Sequence, residues 1–358
     1  MNVKQQRTAE TIYQQAESIT EEAAVLYCQL SPDVDYCGGS EESRRALEQE
    51  MQGHLNALAN AILMNSAGLF EAHLFHSRHH PADEAHDQML TQQLTALKQV
   101  LAQRLPIAEY IAAAGYLSAA FKELEHPVIV AEPSPPVDSS QEAPLKALAD
   151  AYLSNLLAGQ RAEAISLLRK EAKEGIDVRL IYEHVFMPVQ WEVGSRWHRG
   201  EITVAQEHYC TAATELAMAM LHPYLQAPAP NGFRFVATTV SSDLHSMPVR
   251  MVSDFLEFDG WTPYFLGANT PTDDIWKAVV GFKANLLVLG ASMPHHVNIL
   301  RQLINAKQYT IGASQVSVMV GGAPFNADPT LWRTIGADAY APNARVAVEA
   351  ARALVQNK

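Results

Sequence analysis

The sequence places an aspartate two residues ahead of a histidine, Asp243-Leu-His245, in the segment SSDLHSMP. A neutral imidazole is a good ligand for a transition metal, and a carboxylate on its other nitrogen fixes the tautomer and raises the basicity. The plain alternative is a surface histidine with an aspartate nearby. Ser292 stands in GASMPHHV, and Gly321-Gly322 closes another short apolar run. Paired glycines allow the backbone to approach a bound group closely, or simply make a turn. Farther upstream, Trp197 is followed after nine residues by Glu207-His208. Trp197 can offer an apolar plane, Glu207 an acceptor and His208 a ligand nitrogen; the alternative is a core Trp and a solvated Glu-His pair. A third group of histidines, His54, His73, His76, His79, His80 and His86, falls in the first part of the chain. His73 and His76 share a helix face, an arrangement that more often means solvated surface than a metal site.

The elements that hold these residues follow from periodicity. The segment PVIVAEPSPPVDSSQEAP (127–144) carries five prolines and reads as an extended linker. A shorter break, APAPNG, covers 227–232. The expected domains are therefore 1–126, 145–226 and 232–358. The first reads as helical, with helices around 8–29, 41–66, 67–78, 83–104 and 107–125 and Ser40 as a cap. The second reads as a four-helix bundle. In it Asp177 caps one helix, Pro188 should kink it, and Thr203 with Gln206 forms a capping box for the helix of Glu207-His208. In the third, the apolar runs 233–240, 262–267, 284–292, 316–322 and 337–342 alternate with helical stretches. That alternation predicts an α/β doubly wound, flavodoxin-like parallel sheet of five strands, in a multidomain chain. Ligands of such sheets bind beyond the carboxyl ends of the strands, where His245, Ser292 and Gly321-Gly322 all fall.

The third segment resembles the cobalamin-binding domain shared by methionine synthase and light-sensing regulators. The pattern Asp/Glu-x-His-x-x-Gly, Ser-x-Leu, Gly-Gly stands here as Asp243-Leu-His245-Ser-Met-Pro248, Ser292-Met-Pro294 and Gly321-Gly322. The stretches MVSDFLEFDGWTPYFLGANTPTDDI and GADAYAPNARVAVEAA resemble the family too. The resemblance implies His245 as the lower axial cobalt ligand with Asp243 as its partner, and Ser292, Gly321 and Gly322 lining the slot for the nucleotide tail. Pro248 and Pro294 depart from the pattern at positions near the tail. The string Trp197-x9-Glu207-His208 is similar to the signature of the CarH cobalamin photoreceptors. That resemblance implies Trp197 and Glu207 as contacts of the adenosyl group on the upper face. It implies His208 as the cobalt ligand that takes the group's place after light, with adenosylcobalamin held between the bundle and the α/β domain. A helical domain ahead of such a module resembles the photocobilins, which implies biliverdin as a second, non-covalent chromophore in residues 1–126.

Composition limits the remaining functions. Twenty-six Lys+Arg against 39 Asp+Glu give a net charge of −13, which argues against direct nucleic-acid binding. The start of the chain shows no apolar signal-peptide core and no stretch long enough to span a membrane, so a soluble, cytoplasmic protein is expected. The three cysteines, Cys28, Cys37 and Cys210, form no CxxC and read as thiols in a reducing compartment. Three functions stand open: a light-sensing, signalling protein that is not an enzyme and acts through a sister subunit or a light-dependent partner; a corrinoid methyl carrier for a methyltransferase; and a light-independent cobalamin-responsive regulator. The chain lacks the signatures of a complete methyltransferase.

Overall fold

The structure is a computed structural model that describes residues 3–31, 41–77, 84–124, 139–225 and 228–356. The side chains of residues 75–76, 84–86, 123 and 139–141 are not included. Ser40, His79, His80, most of the linker 127–144 and the side chains of His76 and His86 therefore lie outside the description. The chain divides into two compact units. One comprises Met1–Val128, Phe233–Ser253 and Thr262–Lys358; the other comprises Ile129–Gly232 and Asp254–Trp261. The first and third sequence segments thus share a unit.

That unit begins with helices α1 (Val3–Gln14), α2 (Ala16–Leu30), α3 (Glu41–Met64), α4 (Ala67–Ser77), α5 (Glu84–Arg104) and α6 (Ile107–Leu124). The single helix expected over 8–29 is two, broken at Gln15. α3 buries Leu47, Met51, Leu55, Leu58 and Ile62 completely or nearly so, the apolar stripe expected of an amphipathic helix. A polar chain crosses this apolar interior. His54 Nδ1 lies 2.9 Å from His73 Nε2, His54 Nε2 lies 3.1 Å from Gln93 Oε1, and Gln93 Nε2 donates to Glu50 Oε2 at 3.1 Å.

The sheet follows, with strands β1 (Arg234–Val240), β2 (Thr262–Thr270), β3 (Leu286–Gly290), β4 (Ser317–Gly321) and β5 (Ala339–Tyr340) in the order β2-β1-β3-β4-β5. All pairs are parallel, which is the flavodoxin-like arrangement. β1, β3 and β4 are nearly continuous buried apolar runs, as a sheet covered on both faces requires. Ser66, just past the end of α3, links the first helical segment to the sheet domain. Ser66 Oγ donates to Asp328 Oδ2 at 2.5 Å. Gly68 sits so close to Ala327 that a Cβ there would lie 3.1 Å from its carbonyl oxygen.

The second unit holds four helices. The first is Ser139–Leu157 (α7), with Pro144 inside it; the helix therefore starts within the stretch expected to be linker. Arg161–Lys173 is α8. Val178–Ile181, a π-turn at Tyr182–Phe186 and Met187–His198 run on as α9. Asp177 accepts from the Arg179 backbone N–H, capping α9. The π-turn precedes Pro188, whose missing N–H cannot complete the ordinary ladder. Val204–Leu221 (α10) opens with Thr203 and Gln206 in a reciprocal capping box. Tyr182, 1% exposed, donates its hydroxyl to Asp254 Oδ2 at 2.7 Å and packs edge-on against Phe186 and Phe258.

Candidate functional site

The carboxyl end of β1 leads into a loop that the chain pins at several points before helix α11 (Met247–Glu257) begins. Ser242 takes a positive φ of 70°, and its N–H donates to Asn269 Oδ1 at 2.8 Å. Thr239 Oγ1 donates to the Asp243 carbonyl at 2.6 Å. Asp243 is thereby turned inward, 1% exposed, with Pro248 accommodated in the first turn of α11.

Asp243 collects donors from three residues. Its Oδ1 accepts from the His245 backbone at 3.0 Å and from Ser292 Oγ at 2.8 Å, and it lies 3.2 Å from His245 Nδ1. Its Oδ2 accepts from the Ser292 backbone at 2.9 Å and lies 3.2 Å from His296 Nδ1. Ser292 Oγ is also 3.0 Å from His245 Nδ1. Burial alone would raise the Asp243 carboxyl; the bonds from His245, His296 and Ser292 outweigh it and hold the group far below the usual carboxylate range. Asp243 is a fixed anion. The His245 side chain is 67% exposed. Nδ1 of His245 is turned to Asp243 and Ser292, so a carboxylate and a hydroxyl fix the orientation of the imidazole.

His296 is the member of this group that sequence reasoning missed. It opens helix α12 (His296–Ala306), and its Nε2 is buried without a hydrogen-bond partner among the described residues. The Met293 backbone nitrogen lies 3.2 Å from its Nδ1. The second His of GASMPHHV was its only signal. Burial lowers the pKa of the adjacent His295 imidazole, and His296 adds to that while Asp243 opposes it.

The glycines act differently from a simple lining. A Cβ on Gly322, at φ 110°, would collide with the Ala291 carbonyl. One on Gly321 would lie 2.9 Å from the Ala341 carbonyl oxygen. Both are needed because the loops at the carboxyl ends of β3, β4 and β5 approach backbone to backbone.

In the second unit, Trp197 occupies the last turn of α9 and is 42% exposed. Its ring lies 4.7 Å from that of His198, a second imidazole that the sequence reading passed over. Glu207 is in the first turn of α10. Its Oε2 is 2.5 Å from His208 Nδ1, and its Oε1 accepts from Thr211 Oγ1 at 3.0 Å. A polar chain continues inward through Gln190, Thr214 and Tyr152. The His208 side chain is 76% exposed. The α9–α10 turn is clamped by Arg199, which bonds Glu201 Oε1 and Ser195 Oγ at 2.6 Å each. Cys210, beneath Glu207, is a buried free thiol whose pKa is raised by burial and by Glu207. Cys28, by contrast, is disulfide-bonded, against the expectation of thiols only. Among the described residues, no cluster of three or more His, Cys, Asp or Glu is arranged to hold a metal by itself, and no helix is long and apolar enough to cross a membrane.

Comparison with known families matches two descriptions, both "B12 binding domain", one at residues 233–352 and the other at residues 148–222. The chain is 30% identical over 170 residues to dimethylamine corrinoid protein 3 of Methanosarcina mazei, covering 46% of this chain and 98% of that one. It is 27% identical over 227 residues to dimethylamine corrinoid protein 1 of the same organism, covering 62% and 100%. A match to the HTH-type transcriptional repressor CarA of Myxococcus xanthus is 25% identical over 127 residues, 36% of this chain and 42% of the repressor. The solved monomethylamine corrinoid protein of Methanosarcina barkeri aligns over 59% of this chain and 98% of its own, with a TM-score of 0.51 and 23% identity, a likeness of fold.

Proposed function

The chain belongs to the family of the dimethylamine corrinoid proteins, and from that premise we propose that it binds cobalamin base-off and serves as a corrinoid carrier for a separate methyltransferase. One observation supports this reading above all: the buried anion Asp243 holds both His245 and Ser292 at the carboxyl end of β1. His245 would hold the cobalt through Nε2, and Asp243 would keep the imidazole in the tautomer that leaves this nitrogen to the metal. Ser292 locks the pair from the next strand end, so the ligand is oriented before anything binds. When bound, the corrinoid would supply a cobalt able to take up and give up a methyl group. Absorption spectra of the protein reconstituted with hydroxocobalamin test this. A base-off, histidine-ligated spectrum that His245→Ala abolishes is expected, and an identical spectrum in that variant removes His245 as ligand.

A second reading is a light response, and it rests on Trp197, Glu207 and His208. Glu207 is tied to the bundle interior through Thr211, Gln190 and Thr214, which suits an acceptor of fixed direction above an adenosyl group. His208 would replace that group on the metal after illumination, and the resulting rearrangement would change the surface offered to a partner or a sister subunit. In this reading biliverdin would be a second chromophore in the first helical segment, which carries the partly buried polar chain of His54, His73 and Gln93. Illumination of the adenosylcobalamin-loaded protein separates the two readings.

A further inference from the structure

α8 and α10 lie side by side in the bundle. At one end the Tyr209 hydroxyl of α10 donates to the carbonyl of Gly159, just ahead of α8, at 2.9 Å. Farther along, the two helices border an open groove of about 580 Å³ lined by Arg161, Ile165, Arg169, Lys173, Leu216 and Met220 among others. Arg161, Ile165, Arg169 and Lys173 follow one another at four-residue intervals, so they form a single stripe on α8. At 1.5 Å per residue that stripe is about 18 Å long.

The charges on this stripe are unspent. Among the described residues, none of the side chains of Arg161, Arg169 and Lys173 has a hydrogen-bond or ion-pair partner, and Arg169 Nε is buried with no acceptor. A buried donor without a partner is a standing cost that an incoming acceptor relieves. Lys170, also in the lining, is already answered by Glu171 at 3.6 Å and Glu174 at 3.7 Å. On the other wall Leu216 and Met220 are 39% and 36% exposed. A cationic stripe thus runs beside an apolar strip, in a chain whose net charge is −13.

We propose that this groove is the docking site for an acidic amphipathic helix of a partner protein. The apolar face of that helix would lie on Leu216 and Met220, over a floor that includes the buried Ile165, and its carboxylates, at four- and eight-residue spacing, would meet Arg161, Arg169 and Lys173. A single anionic headgroup would engage one cation; three cations spread along three turns ask for an extended polyanion with the same period. Arginine suits the role because its planar donors grip a carboxylate in pairs. The site lies on α8 and the late part of α10, away from Glu207 and His208 in the first turn of that helix. The proposal stands whichever output the cobalamin site serves.

The test uses the full chain and a fluorescein-labelled synthetic helix of about 14 residues, roughly four turns. It carries glutamate at every fourth position and leucine on the adjoining stripe. Anisotropy titration should show binding that weakens with added salt. The double variant Arg169→Gln/Lys173→Gln should lose about tenfold or more in affinity, as should Leu216→Glu. Unchanged circular dichroism and melting curves would show that these variants fold. A control peptide with glutamine for glutamate should bind far more weakly. The proposal is overturned if the control binds as tightly as the acidic peptide, or if the folded variants bind it like the wild type. It is overturned equally if sodium dodecanoate saturates the groove while the peptide does not bind, since the occupant is then a small amphiphile.

Discussion

His296 reaches the carboxylate that holds His245: its Nδ1 lies 3.2 Å from Asp243 Oδ2, with the two side chains 2% and 0% exposed. Asp243 therefore stands between two imidazoles, one sealed and one facing out. The sealed histidine belongs to the support of the exposed one, although two helices and two strands separate them in sequence.

Removing the outer imidazole should have the larger effect. His245→Ala is expected to abolish the histidine-ligated cobalamin spectrum and weaken binding. Asp243→Asn keeps the shape but loses the anion, and should cost about 10–100-fold in affinity, the usual range for a group that orients a metal ligand. Titration of each variant with hydroxocobalamin, followed by absorbance, checks the order of the two effects.

His296→Leu removes one donor from Asp243 and leaves the other oxygen's partners in place. Cobalamin affinity should fall by less than in Asp243→Asn, and the melting temperature should drop in proportion to a lost hydrogen bond to a charged group, about 1.5–3 kcal/mol. An affinity and melting curve equal to those of the wild type would show that His296 does not support the site.

Residues of the helical bundle separate the carrier reading from the light reading. If adenosylcobalamin in the wild type changes its spectrum under green light, His208→Ala should still respond but end in a water-ligated form. His198→Ala belongs in the same series, because the His198 ring lies against Trp197. A wild-type spectrum that survives illumination removes the light reading and leaves the carrier and the light-independent regulator. Titration with biliverdin is the parallel check on the first helical segment: red absorbance is expected under the light reading, and colourless protein at saturation counts against a bilin there.

Ser66 and Asp328 make an acid-sensitive fastening. Burial raises the Asp328 carboxyl, but hydrogen bonds from Ser66 and Thr330 outweigh it and hold the group below its ordinary value of 3.8. A carboxylate so depressed contributes stability that is present above its unfolded pKa and lost as pH falls through the folded one. Ser66→Ala should lower stability at neutral pH by about 1 kcal/mol or somewhat more and reduce the acid sensitivity. Thermal melts between neutral pH and pH 3 would show both effects.

Much of this arrangement could be read along the chain, for definite reasons. The switch from helical period to short apolar runs placed all five strands, most sharply β1, β3 and β4, because strands buried on both faces do not alternate. Thr203-Gln206 and Asp177 marked helix starts because capping is a local bond. What escaped depends on distance or on competition. Ser66 and Asp328 are 262 residues apart, and nothing in either segment announces the other. His296 becomes a partner of Asp243 only when the loop after β3 turns back beneath the β1 loop. Gly321 and Gly322 also pack against the carbonyls of Ala341 and Ala291, neighbours that the local sequence does not announce. The prolines of the linker obscured the start of α7, where Pro144 is carried within the helix.

The π-turn at Tyr182–Phe186 sets a phase. Such a turn holds one residue more than the α-helical count, and each residue of an α-helix advances the side-chain direction by about 100°. Everything downstream in α9, from Met187 to His198, is therefore rotated about the helix axis relative to an uninterrupted helix with the same start. The direction in which Trp197 faces is decided about three turns earlier, by an insertion buried beside Tyr182. Deleting a single residue from the turn would leave the composition of the bundle almost untouched and yet swing the tryptophan to a different side of its helix.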